Sequence, residues 1–334
     1  MKVLITGGAG FIGSTVASAC SDAGMEVIII DDLSTGMRSF GSRFCFYEGD
    51  YGDENIIDQI FTDHPDIYAV IHCAASIIVP ESMTNPLKYY KNNVGKMPDF
   101  LAALIGTQCR TIIFSSTAAV YDDSGAHIVD EEAPVMPRSP YAKSKRMAEC
   151  MLSDLARVTD MRVVVLRYFN PIGADPSLRT GQQNPHPSHV LGKLLDAQAT
   201  GSEFMITGTN WPTRDGSGIR DYVHVWDLAQ AHVAAIAEIG SIFAGKTIGP
   251  NYDVINLGTG TGTTVFELIR AFEKVTGSSI TCVVGPRRPG DVIGCSASRQ
   301  KAGRVLSWAP RLSIDEGIAD AISWSAVRPS MLGR

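Results

Sequence analysis

The chain has 334 residues, of which 45% are hydrophobic, so one large or two modest domains are expected. Its formal net charge of −6 argues against nucleic acid or an anionic membrane surface as the partner. The seven cysteines are odd in number and show no C-x-x-C spacing, which favours reduced thiols over disulfides or a metal cluster. No apolar run reaches membrane-spanning length, and the predicted fold begins at the N-terminus, so no signal peptide is expected. A cytoplasmic protein without a bound metal is predicted.

The first predicted strand, residues 1–6, runs directly into a glycine-rich turn. Gly7, Gly10 and Gly13 have G-x-x-G-x-x-G spacing, and a helical pattern continues to about Ala23. Glycines at this corner allow a tight turn and close approach of the backbone to a pyrophosphate, which the N–H groups of the helix N-terminus can bind. The position of the triplet between strand and helix predicts a dinucleotide site, the alternative being a solvated glycine turn.

Asp31 stands at the end of the second predicted strand, residues 25–30. A carboxylate at that point can accept hydrogen bonds from the ribose hydroxyls and would repel a 2′-phosphate. Asp31 therefore predicts NAD rather than NADP as the cofactor.

Further predicted strands alternate with helices through the first half of the chain. The strands are residues 44–48, 68–73, 110–115 and 162–167. Asp50 follows the first of these and is placed to meet the adenine, and Asp53 is a candidate helix cap. The helical stretch 86–106 contains Pro98, which should kink or split it. The alternation predicts an α/β fold with a doubly wound parallel sheet and ligands at the carboxyl ends of its strands.

Beyond residue 174 the alternation of predicted strands and helices becomes less regular. Residues 175–189 are rich in Gly, Pro, Asn and His and predict a long ordered loop or lid, and helices are expected near 226–238, 264–275 and 315–326. We expect a nucleotide-binding domain over residues 1–174 and a smaller C-terminal α/β domain over 175–334 that mainly binds substrate. The boundary allows the chain to return to the sheet.

Tyr141 and Lys145 form a Y-x-x-x-K pattern in a helix that starts at Ser139-Pro140. Residues four apart share a helix face, so the ammonium lies one turn from the phenol and favours the phenolate, as a cationic nicotinamide would. Thr117 ends the strand before this helix, where its hydroxyl can hydrogen-bond a reacting substrate oxygen. The three side chains predict proton transfer beside a nicotinamide cofactor.

With these motifs, nearly the whole chain resembles the extended short-chain dehydrogenase/reductase family, and within it the UDP-glucose 4-epimerases. The stretches that carry the resemblance are 6–13 (TGGAGFIG), 85–93 (NPLKYYKNN), 114–121 (FSSTAAVY), 139–145 (SPYAKSK), 167–171 (RYFNP), 215–225 (DGSGIRDYVHV) and 287–291 (RRPGD). The last two are the most specific to the epimerases. The resemblance implies a Rossmann-type domain, bound NAD, a UDP-sugar substrate and a homodimer.

The resemblance also implies roles for individual residues. Tyr141 would be the acid/base, Lys145 its electrostatic partner and Thr117 the group that polarises the sugar O4. The cofactor would contact Gly7, Gly10, Phe11, Ile12, Gly13, Asp31, Asp50, Tyr51, Cys73, Ala74, Ala75, Asn92, Ser115, Tyr141, Lys145 and Tyr168. The substrate would contact Thr117, Asn170, His189, Arg220, Arg288, Asp291 and Cys295, with the two arginines on the diphosphate.

Several positions depart from the family pattern. Ile77 replaces a lysine that many epimerases carry near the cofactor phosphates, which predicts weaker cofactor retention. Pro98 is unusual in a helix that commonly packs at the family's dimer interface. The segment 184–190 matches the uridine-binding region poorly, and His189 is the candidate for its polar role.

The leading functional prediction is NAD-dependent 4-epimerisation of a UDP-hexose through transient oxidation to the 4-keto sugar. A nucleotide-sugar 4,6-dehydratase is one alternative, but Ala118 and Ala119 follow Thr117 where that reaction needs acidic side chains. The second alternative is a catalytically silent NAD-binding regulator. Such proteins often lose the Tyr or Lys that this chain keeps. Cys295, placed by the resemblance against the hexose, is small enough to predict turnover of N-acetylated sugars as well, unless it is simply a buried apolar residue.

Overall fold

The computed structural model describes residues 1–121, 128–184, 187–244, 251–287 and 292–333. The strands are β1 (Lys2–Thr6), β2 (Glu26–Asp31), β3 (Cys45–Glu48), β4 (Ile67–His72), β5 (Thr111–Thr117), β6 (Ile128–Val129), β7 (Arg162–Tyr168), β8 (Asn170–Ile172), β9 (Phe204–Thr207), β10 (Ile219–Arg220), β11 (Tyr222–His224), β12 (Tyr252–Leu257), β13 (Thr263–Thr264), β14 (Cys282–Gly285) and β15 (Ser296–Ala297). The α-helices are α1 (Phe11–Asp22), α2 (Arg38–Gly41), α3 (Glu54–Asp63), α4 (Val79–Thr84), α5 (Pro86–Tyr90), α6 (Met97–Ile105), α7 (Pro140–Val158), α8 (Val190–Thr200), α9 (Val225–Ala237), α10 (Ile239–Phe243), α11 (Val265–Thr276), α12 (Gln300–Leu306) and α13 (Ile314–Met331).

A parallel sheet of seven strands forms the centre of the molecule, in the order β12-β7-β5-β4-β1-β2-β3. Its strands pair in parallel throughout, with Thr6 of β1 opposite Ile30 on one side and His72 on the other. The doubly wound Rossmann-type fold predicted from the sequence is confirmed.

The sheet is buried on both faces because its strands are nearly continuous runs of apolar residues. On one face Val3, Ile5 and Ile29 pack with α1 and α9, and on the other Leu4 and Ile28 pack with α3, α6 and α7. Alternate residues of one strand thus supply two separate cores, as the period of two in a strand requires.

The predicted helical stretch 86–106 is divided into three parts. Helix α5 ends at Tyr90, residues Lys91–Gly95 form a π-helical turn, and α6 begins at Met97. Pro98 is the second residue of α6, where its missing N–H breaks no hydrogen bond within the helix. The prediction that Pro98 splits the stretch is confirmed.

The chain beyond residue 174 contributes to both parts of the molecule. Strand β12 pairs with β7 at the edge of the main sheet, and α9 packs against α1 on its face. Two-stranded pairs β8–β11, β9–β14 and β10–β13 lie outside the main sheet, with a third apolar core that includes Leu191, Phe204 and Phe272. The described part of 175–189 contains neither helix nor strand, and Arg179 bonds both Asp22 of α1 and Asp175. The assignment of 175–334 mainly to substrate binding stays a prediction.

Candidate active site

The carboxyl ends of the sheet strands bring most of the predicted site residues to one edge. The glycine turn follows β1, Asp31 ends β2, Asp50 and Tyr51 follow β3, the 73–75 segment follows β4, and Ser115 and Thr117 end β5. Tyr168 ends β7, while Tyr141 and Lys145 lie in the first two turns of α7. This is the edge at which open parallel sheets bind their ligands.

The glycine turn is shaped by close backbone approach. Gly7 has a φ of +68°, and a Cβ there would lie 2.7 Å from backbone atoms of Ala74. A Cβ on Gly13 would collide with the Gly7 carbonyl oxygen, so both glycines are required by the packing of the turn itself. Helix α1 then begins at Phe11 and Ile12 without a side-chain cap at Gly10. The N–H groups of its first turn are therefore suited to an anionic ligand.

Asp31 is buried against the same turn. Its Oδ2 accepts a hydrogen bond from Ala9 N at 2.9 Å, and its Oδ1 accepts one from Leu33 N at 2.9 Å. Burial raises the pKa of the carboxyl, although these two backbone donors oppose the shift. Asp31 is thus fixed in orientation, and each oxygen keeps a second lone pair for another donor.

Helix α7 is positioned by its first residues. Ser139 caps it by accepting from Ala142 N at 3.2 Å, and Pro140 occupies the first helical position. Tyr141 and Lys145 are both buried on the face of the helix that meets the sheet. Lys145 Nζ donates to the Ser115 carbonyl at 2.8 Å, which joins the helix to the end of β5.

The environment of Tyr141 opposes ionisation of its phenol. Burial raises its pKa to about 12, and a hydrogen bond with the Thr117 hydroxyl partly lowers it. Burial also lowers the pKa of Lys145 to about 8. The sequence led us to expect a phenol pKa lowered by Lys145, but burial is the larger effect among the protein's own groups. Thr117, rather than Lys145, is the residue that lowers it.

A chain of polar groups links the segment after β4 to the end of β5 and to α9. Cys73 Sγ is 3.3 Å from Ser115 Oγ, which in turn is 2.9 Å from His232 Nε2. His232 Nδ1 lies 2.9 Å from the Leu228 carbonyl, so this nitrogen carries the proton and Nε2 accepts from Ser115. Sequence analysis missed His232, because nothing in the spacing of α9 shows that it reaches β5.

A second buried network holds α7 to the sheet, and sequence analysis missed it too. The Glu149 carboxylate accepts hydrogen bonds from Ser116 Oγ at 2.6 Å and from Arg167 Nε and Nη2 at 2.9 and 2.7 Å. Arg167 is 3% exposed and Glu149 is fully buried. The i, i+4 spacing from Lys145 to Glu149 was the available signal, since it places the carboxylate on the buried face.

The predicted cofactor contacts after β3 and in the π-helical turn are joined to each other. Tyr51 donates its O–H to the carbonyl of Asn92, and Lys96 Nζ lies 2.8 Å from Asn92 Oδ1 and 2.5 Å from Asp50 Oδ2. Asn93, the next residue, bonds Ser76 and Ser144 and so links the 73–76 segment to α7. Ile77, at the position of the family's lysine, is 56% exposed.

The predicted substrate residues lie on the short strands next to this edge. Asn170 starts β8 and donates to the Asp221 carbonyl at 3.3 Å, while Arg220 Nη1 donates to the carbonyls of Val292 and Ile293 at 3.2 Å each. Arg220 thereby touches the segment that follows Asp291. Arg288 and Asp291 themselves lie outside the described residues.

His189 is exposed and caps α8, accepting from Gly192 N at Nδ1 over 3.2 Å. It is a neutral group with its proton on Nε2. A cavity of about 330 Å³ runs between His189, Phe11, Pro171 and Trp324. Tyr141, Thr117 and Lys145 are not among the residues that line this cavity.

Cys295 is half-buried just before β15. It packs against a small cluster that includes Val120 and Phe169. These residues flank Thr117 and Tyr168 in sequence, which places the thiol close to the end of β5.

The sequence profile of the NAD dependent epimerase/dehydratase family matches residues 3–258. The chain belongs to this family. A UDP-glucose 4-epimerase of Azospirillum brasilense is 39% identical over 336 residues, covering 100% of this chain and 94% of the relative. A solved UDP-glucose 4-epimerase of Stenotrophomonas maltophila, with NAD and a formylated UDP-arabinopyranose, has a TM-score of 0.91 at 33% identity and 99% coverage of both chains. That of Bifidobacterium longum, with NAD⁺ and UDP, has a TM-score of 0.88 at 34% identity, covering 99% of this chain and 100% of that one.

The residues of this epimerase/dehydratase chain fit the cofactor of the family. A Cβ on Gly10 would meet only the Gly7 carbonyl oxygen, at 3.4 Å, which is an ordinary contact. Unlike Gly7 and Gly13, Gly10 is therefore not required by the packing of the turn. Its missing side chain leaves room at an uncapped helix N-terminus, as a pyrophosphate requires. Among the described residues, no group of three or more His, Cys, Asp or Glu side chains could hold a metal ion.

Proposed function

We propose that this protein is an NAD-dependent 4-epimerase that interconverts UDP-glucose and UDP-galactose. The observation that carries the proposal is the convergence of Tyr141, Thr117 and Lys145 at the end of β5, beside an uncapped glycine turn, in a chain of the epimerase/dehydratase family. Relatives named UDP-glucose 4-epimerase span the full length of the chain, which supports the substrate class.

The protein's own residues would move the protons. NAD, when bound, supplies a reversible two-electron oxidation at C4 of the sugar. Tyr141 as phenolate takes the proton of the C4 hydroxyl and later returns it, while Thr117 donates a hydrogen bond that stabilises the phenolate. The ammonium of Lys145, held by the Ser115 carbonyl, supplies positive charge one helical turn away. Burial of all three groups excludes water that would compete for the proton.

Inversion at C4 requires the sugar to present both faces to the same reaction centre. We propose that Asn170, Arg220, Arg288 and Asp291 hold the UDP group while the hexose turns. Guanidinium groups suit a diphosphate because their planar forks pair with two oxygens at once. Neutral His189 adds a single donor, Nε2–H, at the same side.

The family also contains dehydratases, and the residues after Thr117 separate the two reactions. Ala118 and Ala119 form the 3₁₀ turn that follows β5, and their methyl groups cannot exchange protons at C5 or C6. A silent NAD-binding regulator is disfavoured because Tyr141, Lys145 and Thr117 are all present and buried together.

We further propose that NAD is preferred over NADP and that it is not fully retained during purification. The buried Asp31 carboxylate faces the turn after β1 and would repel a 2′-phosphate. Exposed Ile77 leaves out a cation that many epimerases hold near the cofactor. Added NAD should therefore stimulate the purified enzyme, and tighter binding of NADP would contradict the first part.

Cys295 supports a wider sugar range. A thiol leaves space that a phenol would fill, and a 2-acetamido group needs that space when the sugar turns. We propose turnover of UDP-N-acetylglucosamine as well as UDP-glucose, with Cys295→Tyr suppressing only the former and Cys295→Ala as the matched control. A parent enzyme that turns over UDP-glucose alone would contradict this part.

We propose a cytoplasmic homodimer as the assembled form. No helix in the described part of the chain is long and apolar enough to cross a membrane. Exposed Ile105 on α6 and Met147 and Val158 on α7 are apolar side chains on two helices, and α6 is the helix that the family resemblance places at a dimer interface. Light scattering of the purified protein tests this assembly.

The function is tested by incubating the purified protein with UDP-glucose and added NAD and separating the nucleotide sugars by chromatography. We expect UDP-galactose to form until a fixed ratio is reached, and the same ratio from UDP-galactose. The Lys145→Ala variant should lose turnover. Unchanged UDP-glucose at saturating NAD would overturn the proposal.

A further inference from the structure

We infer that Lys96 is a positioning residue of the NAD site, which fixes Asp50 and Asn92 and adds a positive charge at the adenosine half of the cofactor. The inference deepens the proposed function and rests on it, since it takes NAD as the ligand. Lys96 belongs to no motif that the sequence analysis used. It is identified only by where its side chain reaches.

The Lys96 ammonium joins two predicted cofactor contacts that come from separate parts of the chain. Nζ lies 2.5 Å from Asp50 Oδ2, after β3, and 2.8 Å from Asn92 Oδ1, in the π-helical turn. It also lies 5.6 Å from the centre of the Tyr51 ring. The Lys96 side chain is 21% exposed, so most of its length is covered.

The backbone leaves space for this lysine to pass. A Cβ on Gly52 would lie 2.8 Å from Lys96 Cβ and 3.0 Å from its Cγ. The N–H of Gly52 donates to Asp50 Oδ1 at 2.9 Å, so the carboxylate is held at both oxygens. Asp50 is therefore fixed by one backbone donor and by one ammonium.

Fixing Asn92 has a consequence for its amide. Because Oδ1 accepts from Lys96, the amide is oriented with its N–H₂ group away from the ammonium. One N–H of this amide donates to Asn93 Oδ1 at 3.2 Å, and its second N–H is a donor that suits a phosphate or ribose oxygen. Lys96 thus prevents the amide from turning its oxygen toward an anionic ligand.

The charge has a second effect. Asp31, Asp32 and Asp50 follow one another around the ends of β2 and β3, where the adenosine is expected, and a dinucleotide brings two further negative phosphates. An ammonium bound to Asp50 offsets this repulsion at short range. With Ile77 at the position of the family's lysine, Lys96 supplies a cation from a different element.

The test compares Lys96→Met with Lys91→Met, which removes the same charge from an exposed side chain at the start of the π-helical turn that precedes Lys96. The full-length proteins are dialysed to equilibrium against a series of NAD concentrations, and bound NAD is released by denaturation and counted. ADP-ribose and nicotinamide mononucleotide are then used as competitors, and the NAD series is repeated at high salt.

We expect Lys96→Met to need about 10-fold more NAD for half-occupancy than Lys91→Met, as for loss of a charged hydrogen bond. In Lys96→Met, ADP-ribose should displace bound NAD correspondingly less well, whereas the competition by nicotinamide mononucleotide should be unchanged. The affinity for NAD should also depend less on salt than in the parent. Equal occupancy of the two variants, or tighter NAD binding by Lys96→Met, would overturn the inference alone. A parent protein that binds no NAD would overturn it together with the proposed function.

Discussion

Tyr141 lies in a site where the protein alone disfavours its phenolate. Removing its hydroxyl in Tyr141→Phe should leave the ring packing intact and reduce turnover by about 10²- to 10⁴-fold, the usual worth of general acid–base catalysis. Tyr47→Phe is the matched control, because the Tyr47 hydroxyl bonds Asp63 at the far edge of the sheet. Initial rates of UDP-galactose formation check this, and near-parental rates in Tyr141→Phe would remove the residue from the mechanism.

Thr117 is the group that lowers the phenol pKa in the structure. Thr117→Val keeps the shape of the side chain and removes its hydroxyl, whereas Thr117→Ser keeps the hydroxyl. Losing the donor should raise the phenol pKa, so the rising limb of the activity–pH profile moves to higher pH in Thr117→Val and stays near its parental position in Thr117→Ser. An unchanged limb in both variants would show that Thr117 does not assist Tyr141.

At the residue scale, the sequence identified functional side chains that lie at a fixed spacing within one helix or turn. Tyr141 and Lys145 were found because helix periodicity alone places them on one face. His232 and Lys96 were missed because their contacts join residues far apart in the chain: His232 meets Ser115 and Lys96 meets Asp50. Their roles depend on tertiary packing, which no local pattern records.

Helix α7 is held in register by the buried Glu149–Arg167 pair. Glu149→Ala should destabilise the protein by about 3 to 5 kcal/mol, because it leaves the Arg167 guanidinium buried without its partner. The double variant Glu149→Leu with Arg167→Met removes both charges and should recover much of that loss. Urea unfolding measures both free energies, and an equal or larger loss in the double variant would contradict this account.

At the element scale, the predicted starts of helices agree well with the structure. Asp53 caps α3 and Ser139 caps α7, each by bonding a backbone N–H of the first turn. The π-helical turn at Lys91–Gly95 and the two-residue strands were not predicted. A strand of two residues has no periodicity to detect, and its pairing, such as Ile219 with Thr264, is decided by the fold around it.

The buried histidines His72 and His232 make the whole molecule sensitive to acid. Burial lowers the pKa of His72 to about 3 and that of His232 to about 4. The unfolded chain binds these protons below about pH 6.5 and the folded chain does not, so stability is greatest above that pH and falls as pH drops toward 4. Each histidine should contribute a slope of about 1.4 kcal/mol per pH unit within this window.

Urea unfolding at pH 7 and pH 5 checks this dependence. The His232→Gln variant keeps a polar side chain but removes one buried titrating group, so its stability should fall less steeply with acid than that of the parent. The His64→Asn variant, at a half-buried position, is the control. An equal fall in parent and His232→Gln would contradict the assignment for His232.

At the scale of the whole molecule, alternating apolar strands and helices were enough to predict the parallel sheet. They could not place β12, which enters the sheet beside β7 after a long excursion through the C-terminal region. Helix α9 likewise comes from the C-terminal region and packs into the core that contains β1. Both are connections between distant segments, which local sequence patterns around residue 174 do not record.

The most direct test of the central claim is proton NMR of UDP-glucose incubated with the enzyme and NAD in D₂O. Oxidation and return at C4 within one complex predict that the galacto C4 signal appears while the hydrogen on C4 stays protium. The ratio of UDP-glucose to UDP-galactose should then become constant. No methyl signal from C6 should appear. Deuterium at C4, a C6 methyl group, or unchanged UDP-glucose would contradict the account.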